Sequence, residues 1–81
     1  MRGVPPKATK PAIHPTLKRL GARVRALRER QKLSQEALAD HAKIGRSYMS
    51  GIERGVRNCS VLHLYKLAAA LKVRPETLLA D

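Results

Sequence analysis

The sequence predicts an all-α fold, a compact domain of five short helices. Apolar residues recur at three- and four-residue steps along most of the chain, and no stretch alternates with the two-residue period of a strand. Residues that start or stop helices stand where those runs begin and end. The chain is organised around Ser34 to Arg54, SQEALADHAKIGRSYMSGIER, which reads as two short helices joined by a tight turn.

Residues 1–15 hold Pro5, Pro6, Pro11 and Pro15 together with Arg2, Lys7 and Lys10, and no acid. Prolines at that density deny helix and sheet their hydrogen bonds, so this is a flexible basic arm ahead of a domain at 16–81. From Thr16, a possible cap, Leu17, Leu20, Val24 and Leu27 form one apolar stripe that runs to about Arg30. At about 100° per residue, Lys18 and Arg25 fall on one flank and Arg19, Arg23 and Arg30 on another. Arg28 lands beside the stripe itself. A buried guanidinium without a partner costs several kcal/mol, so an acid from elsewhere in the fold has to meet it.

Gln31 to Leu33 link this helix to Ser34, which caps the second; Glu36 stands in its first turn and Leu38, Ala39 and Ala42 form its inner face. Ile44-Gly45 breaks the run. Met49 and Ile52 give the third helix its inner face and leave Arg46, Ser47, Ser50, Gly51 and Arg54 outward. Gly55 stands where a helix ends in the left-handed conformation, and a loop leads to Cys59. Ser60 caps a fourth helix with Val61, Leu64, Leu67, Ala68 and Leu71 inward; Pro75 opens a last short helix containing Leu78 and Leu79.

Composition narrows the function. There are 17 Lys and Arg against 6 Asp and Glu, a net charge of +11, which attracts polyanions. Nucleic acid is the default partner at that balance. A domain of 81 residues is small for a deep catalytic cleft with its own supporting shell, which argues against an enzyme. The single cysteine, Cys59, excludes an intramolecular disulfide and fits a reduced cytoplasm. No apolar run has the length of a signal peptide or a membrane span. His14, His41, Cys59 and His63 match no four-ligand spacing, so no metal and no cofactor is expected. Two readings of Cys59 stand: a small loop residue, or a thiol that nearby Arg57 activates. The basic arm has two as well, a leader without a role or a strand that reaches along DNA in the minor groove.

Gln35, Leu38-Ala39, Ile44, Arg46-Ser47, Met49-Ser50, Ile52-Glu53-Arg54-Gly55, Asn58, Ser60 and Leu71-Lys72-Val73 resemble the Cro and phage-repressor type of helix-turn-helix domain, the XRE-like family. The likeness runs from about Leu17 to Leu79. It implies a lambda-repressor-like five-helix domain of a bacterial or phage protein that binds double-stranded operator DNA as a twofold homodimer. The third helix, about 45–53, would be the recognition helix in the major groove. Ala39 is small where the second and third helices should cross, which agrees.

Carried over residue by residue, the resemblance makes Arg46, Ser47, Ser50 and Gly51 base readers, with Arg46 the main one through paired donors to guanine O6 and N7. Tyr48 has three readings: against the DNA backbone, against a thymine methyl, or beside the core. Gln35, Arg54, Arg57 and Asn58 become contacts to the DNA backbone, solvation being the alternative for the loop arginines. Arg28 and Glu53 match a structural ion pair. Lys43, Gly45 and Cys59 depart from the family's usual turn glycine, capping Ser or Thr, and proline. Leu78 and Leu79 are candidates for a dimer seam, or lids on the protomer's own core.

The expected function is a sequence-specific transcriptional regulator, a repressor in the first instance. Tyr48 to Arg54 followed by Arg57-Asn58 is also similar to the controller proteins of restriction-modification genes. An antitoxin-like module that sequesters a partner protein is the alternative from another class. An RNA-binding role is disfavoured by the lack of Phe and Trp. Membrane binding is disfavoured too, and with no second domain there is no evident small-molecule effector site.

Overall fold

The computed structural model describes residues 14–80, so the arm at 1–15 lies, up to residue 13, outside the described residues. Five helices follow one another: α1 (Pro15–Arg30), α2 (Gln35–Ala42), α3 (Arg46–Arg54), α4 (Val61–Leu71) and α5 (Pro75–Leu79). α1 begins one residue earlier than its apolar stripe suggests. Its N-cap is His14, whose Nδ1 accepts from the Thr16 N–H at 3.1 Å, with Pro15 in the first turn, where its missing N–H costs nothing. Thr16 is therefore inside the helix. The Ser34 and Ser60 hydroxyls cap α2 and α4 by accepting from the N–H groups of Ala37 and His63.

One core collects the inner faces. Leu20 and Val24 come from α1, Leu38, Ala39 and Ala42 from α2, Met49 and Ile52 from α3, Leu67, Ala68 and Leu71 from α4, and Leu78 from α5, with Ile44 in the turn. α1 and α3 approach most closely at Gly21, where any Cβ would overlap the carbonyl oxygens of Ile52 and Glu53. A glycine inside a helix costs about 1 kcal/mol relative to alanine. Here it is the residue that lets the two backbones touch.

Leu78 takes the second of its two readings, and one inward expectation is corrected. Leu78 is a core residue at 1 % exposure, because α5 packs on both α4 and α1 and lays Leu78 between them; it is not available as a dimer seam. Val61, expected inward, is 72 % exposed. It lies at the edge of the arc spanned by Leu64, Leu67, Ala68 and Leu71, in a first turn that nothing covers.

Polar groups of α1 and its C-cap Gln31 tie the helices together at their ends. The Gln31 side chain donates to the Leu71 carbonyl at 2.7 Å, and Arg23 donates to the carbonyls of Ala80 at 3.0 Å and Thr77 at 3.4 Å, closing α4 and α5. The acid that Arg28 requires is Glu53. Arg28 Nε and Nη2 donate to the two carboxylate oxygens at 2.6 and 3.1 Å, while Nη1 donates to the Leu33 carbonyl at 2.8 Å. Gln35 Nε2 adds a bond to Glu53 Oε1 at 3.1 Å. The side chains of Arg28 and Glu53 are 12 % and 4 % exposed. The hydrogen bond that Arg28 donates to Glu53 is the largest influence on it and raises its pKa above the ordinary value, against the opposing effect of burial.

Glu53→Gln keeps the shape of the side chain but leaves the Arg28 charge unpaired, so it is expected to lower unfolding free energy by about 3 kcal/mol in urea titrations. An unchanged midpoint would mean that Arg28 finds water instead. Gly21→Ala is expected to destabilise by about 2 kcal/mol despite alanine's better helix propensity, because the obstructing atoms are backbone carbonyls that cannot rotate away. A gain in melting temperature would show that the helices separate without cost.

Candidate nucleic-acid interface

The turn between α2 and α3 sets the site. Lys43 closes α2 at φ 59°, ψ 47°, in the left-handed region, as a non-glycine residue at the turn position has to. The Ile44 N–H then returns to the Ala39 carbonyl at 2.9 Å, and the Ile44 side chain enters the core. Ala39, fully buried, lets α3 cross α2 closely. Gly45 supplies extended backbone but no side-chain cap, and α3 has no acid in its first turn.

With Met49 and Ile52 inward, Arg46, Ser47 and Arg54 are exposed and Ser50 is half-buried. Gly51 is not on that exposed face. It is buried beneath the aliphatic stem of Arg57, and a Cβ there would overlap Arg57 Cγ. The helical wheel of α3 alone places Gly51 outward; the loop that follows the helix folds back over it. Gly51 is thus a seat for Arg57 and not a surface in its own right.

The same loop is braced at Tyr48. Its hydroxyl donates to the Asn58 carbonyl, its ring lies 4.6 Å from the His63 ring at 54°, and the Arg57 guanidinium carbon stands 5.7 Å from its centroid. Of the three sequence readings of Tyr48, this is the one beside the core, with the loop added. His63 is joined to the α4 cap through Ser60 Oγ at 2.9 Å. Nothing in the residue order announces this role for His63, since a histidine one turn into a helix carries no signal about a loop that precedes it.

Arg57 and the Asn58 side chain remain exposed beside α3, as does Arg54 at its end. Gln35, expected at the DNA backbone, is half-buried and spends a donor on Glu53, so its position at the start of α2 is held by the ion pair. Arg46 Nη2 lies 3.5 Å from Glu36 Oε2, a pair between the first turns of α3 and α2 in which both side chains are mostly exposed. Nothing in the spacing of residues 36 and 46 announces that meeting.

Cys59 is half-buried, and burial pushes its thiol up, which disfavours the thiolate; the activated-thiol reading is corrected on that ground. Among the described residues, no three His, Cys, Asp or Glu side chains are grouped so as to hold a metal ion. No described helix is long and apolar enough to cross a membrane. The face assembled by α3 and its following loop carries Arg46, Arg54 and Arg57 among small hydroxyl side chains.

A family profile described as helix-turn-helix matches residues 24–78. Control protein C.BamHI of Bacillus amyloliquefaciens is 43 % identical over 60 residues, 73 % of this chain and 74 % of that protein. The crystal structure of the restriction-modification controller protein C.AhdI from Aeromonas hydrophila superposes with a TM-score of 0.75 at 47 % identity, over 76 % of this chain and 94 % of its own. The master regulator for biofilm formation SinR, solved in complex with DNA, superposes with a TM-score of 0.72 at 37 % identity, over 75 % and 98 % of the two chains. With five helices, the α2–turn–α3 crossing and these similarities, the chain belongs to the XRE-type helix-turn-helix family.

Proposed function

We propose that the protein is a sequence-specific DNA-binding transcriptional regulator that represses by occupying a palindromic operator as a homodimer. The observation that carries this is the basic outer face of α3, set at a rigid crossing over α2. α3 enters the major groove, which is roughly 12 Å wide and admits a helix. Arg46 reads guanine, Ser47 and Ser50 contact neighbouring base edges, and Arg54, Arg57, Asn58 and Gln35 hold the sugar-phosphate backbone. The chemistry is recognition and not catalysis, carried out in the cytoplasm where the bacterial chromosome lies. The similarity to C.BamHI and C.AhdI supports a narrower reading, control of restriction-modification genes.

The dimer reading rests on α4. Val61, Leu62 and Tyr65 are 72, 62 and 59 % exposed on a helix that is apolar nearly all round, a pattern that calls for burial on every side. In a chain of net charge +11, a second copy is best received on a surface of few charges, and Lys66 is the one Lys or Arg within α4. Leu79 on α5, 55 % exposed, is the remaining candidate from the C-terminal pair.

Selection of bound sites from random duplex DNA is expected to return an inverted repeat with half-sites about one helical turn, roughly 34 to 36 Å, apart; recovery of no motif would overturn the reading. Arg46→Ala should lower discrimination at one base pair per half-site by about 1 to 3 kcal/mol. Arg57→Ala should weaken all duplexes alike and flatten the salt dependence by about one ion per protomer. Leu62→Lys should convert the dimer to monomer in analytical ultracentrifugation with helical circular dichroism unchanged; a dimer that persists would place the seam elsewhere.

A further inference from the structure

The Glu36–Arg46 pair has no evident structural use. Both side chains are more than half exposed, and exposed pairs of this kind add little to stability. The core, the caps and the buried Arg28–Glu53 pair hold α2 and α3 together without it. Its location is what distinguishes it. Glu53 is turned inward, while Glu29 and Glu76 pair within their own neighbourhoods on α1 and α5. Glu36 alone among the described acids reaches a residue of the exposed face of α3.

A carboxylate at that place has two consequences for a duplex lying on α3. It opposes the phosphates of every sequence alike. It also stands 3.5 Å from one terminal nitrogen of the guanidinium, close enough to neutralise Arg46 in part and to draw it toward the α2 side as it enters the groove. A phosphate then offers Arg46 only another negative partner in place of the one it has. A guanine edge offers two aligned acceptors, O6 and N7, while Glu36 stays in contact with the free side of the planar group. The carboxylate therefore weakens the contact that carries no sequence information more than the contact that does.

We propose that Glu36 is a positioning residue that makes binding selective, by holding Arg46 away from phosphate and in the orientation that reads guanine. This rests on the reading of α3 as a DNA-recognition helix and adds to it a residue of α2 whose negative charge lowers affinity and raises discrimination.

The test compares wild type, Glu36→Gln, Asp40→Asn and Arg46→Ala, with and without Glu36→Gln, in titrations of the selected operator and of a scrambled duplex across a salt series. Asp40 is an exposed acid one turn along α2 that is not paired with Arg46, so its variant measures loss of charge alone. Glu36→Gln is expected to tighten scrambled DNA roughly fivefold, the size of one unit charge acting at about 4 Å in water. It should steepen that duplex's salt slope by about one ion as Arg46 moves to phosphate. Operator affinity should change by less than about twofold, because the relieved phosphate repulsion is offset by loss of the Arg46 orientation that reads guanine, so the discrimination ratio falls; Asp40→Asn should leave the ratio unchanged. In the Arg46→Ala background, Glu36→Gln should have no further effect on the ratio. A ratio that Glu36→Gln leaves intact, or lowers equally without Arg46, overturns the role assigned to Glu36 while DNA recognition stands. A wild-type protein that does not distinguish operator from scrambled DNA overturns both.

Discussion

A guanidinium and a carboxylate almost withdrawn from water hold the domain's geometry in common. Arg28 comes from the last turns of α1 and Glu53 from the end of α3, and their two hydrogen bonds are joined by the Leu33 carbonyl and the Gln35 amide, from the linker and the start of α2. Four segments therefore meet on two side chains. Such a pair is a weak source of net stability, since apolar residues of the same volume serve about as well. Hydrogen bonds, however, are directional where apolar contacts are not. The start of α2 and the face of α3 have one relative placement because one carboxylate bonds to both α1 and α2. That placement is what brings the first turns of α2 and α3 together at the surface.

The helix ends show how a strongly basic chain uses its charges without a partner. Lys32, Lys43 and Lys72 all have φ near 60°, in the region where a side chain costs about 1 kcal/mol or more. Each follows or closes a helix C-terminus, where the carbonyl ends of the backbone carry partial negative charge. A cation there returns about 0.3 to 1 kcal/mol. The two effects are of similar size, so lysine is a tolerable substitute for glycine at these three turns. Arg23 acts in the same sense, with its guanidinium on the last carbonyls of α5.

What could be read from the sequence was what neighbouring residues decide. Ser34, Ser60 and Gly55 mark helix ends through bonds to residues within one turn, Pro75 through its fixed φ and missing N–H, and the periods of α1, α2 and α3 follow from their own side chains. The exposure of Arg46, Ser47 and Arg54 followed from the same periods. The rest depended on distant segments. Gly21 looks like a flaw in α1 until α3 is laid on it; Leu78 looks free until α1 and α4 enclose it; Gly51 looks outward until the 55–60 loop returns. Glu36 and Arg46 meet only because α2 and α3 cross at a particular angle. Periodicity describes one helix at a time, and each of these residues is defined by two.

The seating of Arg57 on Gly51 has an evolutionary consequence. Any side chain at 51 lifts the stem of residue 57, and with it the guanidinium resting near Tyr48. Positions 51 and 57 cannot drift independently: a substitution tolerated at one is set by what occupies the other. Under the proposed recognition role of α3, new DNA preferences would be reached by paired changes across its end, and a graft of the exposed α3 residues onto another scaffold would carry over only part of the proposed surface. On the proposed reading of α3, the heritable unit of specificity is the helix together with the loop that lies on it.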